Sequence, residues 1–339
     1  MLKKGCIQLG CLSVFAAAIV SGCGSSSTPA PVDANSTGVT QSSDKKLRIA
    51  FIPKGATHEF WKAMEAGARK AAEENNVELL WKSALKEDDR AEQVKVVENF
   101  TNEKVDGIVL APLDENALTS PSKEAMNAGI PVLIVDSGLK GLDPVSFIAT
   151  DNYQAGKECG EQLAKAVGAK AKVVLLRYQE GSASTMAREQ GFLDAAKEKG
   201  LEVVSSEQYG GATRESAQSA SENLIARFKS GDGLTIKGIF TPNESTAFGM
   251  MRALQTAQLL GKVTLVGFDS SKELLDSVKK GDIEGLMLQD PFKMGYLGVT
   301  NMVKHIKGEK LEAKVNSGSV FVTKANIESD AVKALLPKN

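Results

Sequence analysis

The chain has 339 residues, 42% hydrophobic and 24% charged, with a formal net charge of −1. That length suggests about two domains with enough apolar residues for sizeable cores. The near-neutral balance, with no basic cluster, argues against a nucleic-acid footprint, and two histidines and four cysteines leave little for a metal-rich or disulfide framework.

Lys3 and Lys4 precede an apolar run from Leu9 to Val20, followed by Ser21-Gly22-Cys23. The run is shorter than the roughly 20 residues a spanning helix needs. A charged n-region, a short apolar stretch and a small-residue cleavage site read as a secretory signal over residues 1–22. The last positions resemble a bacterial lipobox, which implies cleavage before Cys23 and acylation of its thiol. With Lys3 and Lys4 gone, 39 basic residues face 42 acidic ones, a net of −3. Cys6 and Cys11 leave with the signal, so Cys159 is the one thiol of the folded body, expected as a small buried helix residue. Residues 23–46 are rich in Ser, Thr, Pro and Gly without apolar periodicity, and are expected to be a disordered tether. At about 5–6 Å × √n, such a segment would hold the body roughly 25 Å from a bilayer.

From Leu47 the chain alternates. Apolar, β-rich runs fall at 47–52, 105–110, 130–135, 172–177, 201–205, 236–240, 264–268 and 283–288. Helical stripes lie between most of them: Phe60, Met64, Gly67, Ala68 and Ala71; Ala91, Val94, Val97 and Phe100; Met250, Ala253, Leu254 and Ala257. Strands alternating with helices of this length define βαβ units and parallel sheets. Eight runs exceed one ordinary sheet, so two α/β lobes are expected. Pro53-Lys54-Gly55-Ala56-Thr57-His58 after the first strand lacks GxGxxG, and no Walker loop occurs.

Ligands in open α/β sheets bind beyond the carboxyl ends of the strands. His58, Phe60 and Trp61 follow the first run, Asp136 the run ending at Val135, Asn243 that ending at Phe240, Asp269 that ending at Phe268 and Gln289 that ending at Leu288; Arg188 lies in the helix after Arg177. Carboxylates accept hydroxyl protons while guanidinium and amide groups donate to hydroxyl lone pairs, and aromatic faces cover C–H faces, so the set suits a polyhydroxylated ring. Hydrogen bonds to charged groups contribute about 1.5–3 kcal/mol each, and a micromolar ligand needs only about −8 kcal/mol. Asp136, Asp269 and Asn243 equally suit N-cap positions. The runs Lys86–Arg90 and Lys197–Lys199 read as solvated faces, and His305 as a surface residue.

At these positions the chain resembles the periplasmic sugar-binding proteins of the ribose/galactose type, type I periplasmic binding proteins sharing the lactose-repressor-like fold. The resemblance runs from Leu47 to about Ile327. Its markers are Asp106-Gly107-Ile108 with Ala111-Pro112, Ala128 to Val132, Thr150-Asp151-Asn152 with Ala155-Gly156, Arg188 to Phe192, Phe240 to Asn243, Val266 to Asp269, and Gln289. It implies two doubly wound parallel-sheet lobes joined by three crossover segments, near 149–151, 289–290 and 316–319. Residues 47–150 plus 290–317 would form the N-terminal lobe and residues 151–289 plus 318–339 the C-terminal one. Phe60 and Trp61 would stack on the ligand; Asp136, Arg188, Asn243, Asp269 and Gln289 would bind hydroxyls; Thr150 would lie near a crossover. Ser137 stands where ribose binders carry arginine, His58 replaces a usual asparagine, Lys54 a small polar residue, and the aromatic expected around 210–213 is missing. The ligand is thereby left open among pentoses, hexoses, polyols and acidic sugars.

The resemblance further implies a monomeric, lipid-anchored, extracytoplasmic receptor, without catalysis or cofactor, delivering a sugar or polyol to the permease of an ATP-binding-cassette importer. A ligand-presenting subunit of a membrane sensor or chemoreceptor is the alternative. A repressor would need an N-terminal DNA-binding helix pair, for which Met1–Lys46 has no pattern. An extracellular glycosidase would need two carboxyls at about 5–5.5 or 6.5–9.5 Å, one with a raised pKa, whereas Arg188 among the carboxylates should keep both ionised.

Overall fold

The computed structural model describes residues 46–84 and 86–336. The expected signal peptide, Cys23 and all but the last residue of the expected tether lie outside them.

Two six-stranded sheets carry the fold. The first contains β1 (Arg48–Ile52), β2 (Glu78–Trp81), β3 (Gly107–Leu110), β4 (Val132–Val135), β5 (Phe147–Ala149) and, from far along the chain, β13 (Lys314–Asn316). Its order is β13-β5-β4-β3-β1-β2, with every pair parallel. The second contains β6 (Lys172–Arg177), β7 (Glu202–Tyr209), β10 (Gly238–Phe240), β11 (Thr264–Phe268), β12 (Gly285–Gln289) and β14 (Ser319–Val322), ordered β14-β12-β11-β10-β6-β7. Only β14 runs antiparallel, against β12. A small hairpin joins β8 (Lys229–Ser230) to β9 (Gly233–Leu234).

Central strands such as β1, β3, β4 and β12 are buried along nearly their whole length, as strands covered on both faces must be. In the first sheet, Ile49, Phe51, Val109, Leu133 and Val135 pack under α1 (Glu59–Glu74) and α9 (Pro291–Ile306). Their neighbours Ala50, Ile52, Ile108, Leu110 and Ile134 face α2 (Arg90–Asn102) and α3 (Thr119–Asn127). In the second sheet, Val173, Leu175, Phe240 and Phe268 meet α4 (Asn152–Val167) and α5 (Ala183–Glu198). The opposite face is covered by α6 (Arg214–Ala226), α7 (Glu244–Thr256), α8 (Lys272–Lys280) and α10 (Asp330–Lys333). The two α/β lobes implied by the sequence are present. Cys159 is buried in α4, where burial pushes its thiol pKa well up.

The chain passes between the sheets three times, from β5 to α4, from β12 to α9 and from β13 to β14. β2, β5, β13 and β14 were not among the apolar runs because they are short or half polar, as in Lys314-Val315-Asn316. The α2 stripe is also displaced: Ala91 is exposed, and Gln93, Val96, Val97 and Phe100 face inward. Gln93 is tolerated there because its amide donates to the carbonyls of Pro53 and Ala111 and accepts from the Leu113 N–H. His305 is half-buried on α9 rather than fully exposed.

Candidate functional site

Asp136 ends β4 in one lobe and Asp269 ends β11 in the other, and both sit in the left-handed region, at φ 61° and 65°. Aspartate adopts this conformation more readily than most residues. Each N–H still joins its sheet, donating to Ile148 O and Met287 O respectively, so the kink turns both carboxylates off the strand ends while the ladders stay intact. They line one cavity between the lobes.

The N-terminal lobe contributes Lys54, His58, Phe60, Trp61, Glu87 and Asp136. Lys54 Nζ lies 2.8 Å from Asp136 Oδ2 and donates across the cleft to Ser184 Oγ at 3.0 Å. Thus a cation does approach Asp136, but from the end of β1 rather than from position 137. Phe60 and Trp61 meet edge to face, with centroids 4.8 Å apart; Trp61 is also anchored in the core beneath α1.

From the C-terminal lobe come Tyr178, Ser184, Thr185, Arg188, Asn243, Glu244 and Asp269, with Gln289 at the crossover into α9. Arg188 is 2% exposed. Its Nε donates to Asn152 Oδ1 and its Nη1 to Pro242 O, at 2.8 and 2.9 Å, and the guanidinium lies over the Phe268 ring at 3.9 Å. Gln289 Nε2 donates to Asp269 Oδ1 at 2.6 Å. Asn243 lines the cavity and also caps α7 through Thr246, so the expected cap and a place at the cavity coexist.

Eight of the nine sequence-derived candidates therefore share this cavity: His58, Phe60, Trp61, Asp136, Arg188, Asn243, Asp269 and Gln289. Thr150 does not. It sits at the crossover between β5 and α4, its hydroxyl near Ser317 Oγ and Gly318 O.

Glu87 overturns the reading of Lys86–Arg90 as a solvated face. It is 6% exposed, and its Oε1 lies 2.6 Å from His58 Nδ1 and accepts from Trp61 Nε1. Its Oε2 accepts from the Tyr178 hydroxyl of the opposite lobe at 2.7 Å. A charged run conceals such a residue, since nothing local separates the one inward carboxylate from its solvated neighbours. Tyr178, directly after β6, adds an aromatic wall that the empty 210–213 position does not supply.

Burial alone would lower the His58 pKa, but the Glu87 carboxylate outweighs it and raises it to about 9. Burial likewise opposes ionised Glu87, yet His58 and the Trp61 and Tyr178 donors bring its pKa below the ordinary value. Asp269 departs from expectation: burial raises its pKa, and Arg188 offsets this only in part. Burial also lowers the pKa of Arg188 against the pull of Asp269 and Asp136.

Apart from Asp136 Oδ2, which the Lys54 ammonium faces at 2.8 Å, three buried polar atoms of residues lining this cavity have no hydrogen-bond partner among the described residues: Arg188 Nη2, Gln289 Oε1 and Glu244 Oε2. Buried polar groups are normally paired, so one donor and two acceptors are left for a polar guest.

A profile described as a periplasmic binding protein domain matches residues 49–310. The ribose import binding protein of Haemophilus influenzae is 30% identical over 82% of this chain and 91% of its own length. The xylitol-binding protein of Mycolicibacterium smegmatis is 27% identical over 90% and 82%. A carbohydrate transporter solute-binding protein from Agrobacterium radiobacter, solved with D-arabinose, superposes with a TM-score of 0.82 at 34% identity, covering 87% of this chain and all of that one. The chain belongs to the periplasmic binding protein family, among its sugar-binding members of the ribose/galactose type. These relatives are substrate-binding proteins, not enzymes.

Proposed function

We propose that the protein captures an uncharged monosaccharide or polyol between its lobes and hands it to an ATP-binding-cassette importer, held at the membrane by lipid on Cys23. Residues 47–150 plus 290–317 act as one jaw and the remainder of the body as the other. The observation that carries the choice of ligand is the pairing of charges. Lys54 faces Asp136, His58 faces Glu87, Arg188 lies 3.9 Å from Asp269, and Arg214 pairs with Glu244. Four cations balance four anions in and behind the cleft. A sugar acid or amino sugar would bring a charge with no counterpart into a desolvated site, at a cost of several kcal/mol. A neutral ligand needs only hydroxyls, which donate to Gln289 Oε1 and Glu244 Oε2 and accept from Arg188 Nη2.

A thermal-shift screen tests this with D-ribose, D-arabinose, xylitol, other neutral sugars and polyols, and the corresponding sugar acids. A ligand at a hundred times its Kd stabilises the native state by about 2.7 kcal/mol, or several degrees for lobes of this size. Neutral compounds should produce the shift and their acids should not. Selective stabilisation by an acid would overturn the reading.

A further inference from the structure

We propose that Glu244 is a ligand-binding, specificity-determining residue of the cleft, whose outward carboxylate oxygen accepts one particular hydroxyl of the bound sugar or polyol. The inference rests on the neutral-sugar reading above and deepens it.

Glu244 opens α7 directly after its cap, Asn243. It is 1% exposed and lines the cavity. One carboxylate oxygen, Oε1, pairs with Arg214 at 2.5 Å, and Arg214 is itself braced over the Phe248 ring at 4.1 Å. The other oxygen, Oε2, is buried without a partner. The Glu244 N–H donates to Asp269 Oδ2 at 3.2 Å, which ties the residue to the neighbouring cleft carboxylate. The first turn of a helix tolerates an anion, and Arg214 neutralises it. Neither accounts for an oxygen buried at the cleft with nothing donating to it. Burial raises the Glu244 pKa against the pull of His58 and Arg214; the ionised carboxylate that pairs with Arg214 only accepts, so the group that completes it must be a donor, and in a neutral carbohydrate that is a hydroxyl. Glu244 also lines the same cavity as His58, which belongs to the facing lobe. The accepted hydroxyl is thereby placed where both jaws reach it. A site built around such a hydroxyl rejects the analogue lacking it, because the carboxylate would stay buried and unpaired.

Calorimetry on the intact mature protein tests this with the tightest binder among D-ribose, D-arabinose, xylitol and related neutral sugars, together with its mono-deoxy analogues. In the wild type one deoxy analogue should bind at least tenfold more weakly than its parent. Glu244→Gln should weaken the parent ten- to a hundredfold and bind that one analogue nearly as well as the parent, while the other analogues keep their wild-type penalties. Unchanged affinity in Glu244→Gln overturns the proposal. So does an equal loss for the parent and every analogue, which would mark a residue acting only through its neighbours. Thermal melting verifies folding, and Glu244→Asp carries the same cycle if the amide variant does not fold. Failure of the wild type to bind any neutral sugar or polyol would instead overturn the receptor reading on which the proposal stands.

Discussion

His58 and Glu87 form a buried pair whose pH behaviour follows from the direction of each shift. His58 rises from its ordinary 6.5 to about 9 on folding. A group with a raised folded pKa contributes stability that is fully present below the unfolded value and is lost as pH climbs through the folded one. Glu87 is shifted down, so its share is present above the ordinary carboxylate pKa and is lost as pH falls through the lowered one. The pair should therefore be strongest between about pH 4.5 and 6.5 and fade toward pH 9. At about 1.4 kcal/mol per unit, the His58 contribution is on the order of 3 kcal/mol. The melting-temperature gap between wild type and His58→Gln, measured from pH 5 to 10, should be flat to pH 6.5 and shrink through pH 9; a gap independent of pH would refute the ion pair. For Arg188, with a guanidinium nitrogen unpaired beside the cavity, Arg188→Ala should weaken ligand binding at least tenfold by calorimetry, and unchanged affinity would remove its assigned role. The placement of Asp136, Asp269 and Gln289 was legible because the ends of buried parallel strands are themselves legible. Glu87, Tyr178 and Glu244 were not: Glu87 is hidden in a charged run, and nothing in the local pattern of Tyr178 or Glu244 sets it apart from an ordinary residue beside a strand end.

The helix that carries Arg188 is positioned by a glycine contact rather than by side-chain size. α4 and α5 approach so closely that a Cβ on Gly156 would stand 2.0 Å from the Arg188 carbonyl oxygen, and one on Gly191 would stand 2.1 Å from that of Tyr153. Gly156→Ala must push α5 away from α4, at a cost of about 1–3 kcal/mol for overpacking, and Arg188 moves with its helix. The variant should melt several degrees lower and bind ligand more weakly; a lower melting point with unchanged affinity would show that α5 can slide without disturbing Arg188. At this scale the sequence was readable where apolar character ran continuously, as in Ile49–Ile52 or Val132–Val135, since strands covered on both faces leave no polar positions to confuse the pattern. It was unreadable where an element borrows its stability from another: β13 holds a single apolar residue, β14 is only four residues long, and both exist as additions to edges built elsewhere. Gln93 displaced the α2 stripe for a related reason, since its three hydrogen bonds belong to loops far along the chain.

Across the whole molecule, the proposed capture depends on contacts that one jaw makes to the other only when they are together. Besides Lys54 with Ser184, the Tyr178 hydroxyl donates to Glu87 Oε2, Gln179 Nε2 donates to Glu87 O, and the Ser184 N–H donates to Ser137 Oγ. In an opened protein Glu87 would keep His58 and Trp61, which belong to its own lobe, and meet water in place of Tyr178. Removing the Tyr178 hydroxyl therefore leaves a buried carboxylate oxygen short of a donor in the closed form alone, at about 1–3 kcal/mol. Because a ligand bound from both sides stabilises the closed state by its differential affinity, that cost appears in the binding constant. Tyr178→Phe should weaken a neutral sugar roughly 5- to 150-fold. Its melting temperature without ligand should change little, and small-angle scattering should show that more sugar is needed to contract the protein. An affinity equal to wild type would mean that the jaws are held by the ligand alone, and that the Glu87–Tyr178 contact only accompanies closure.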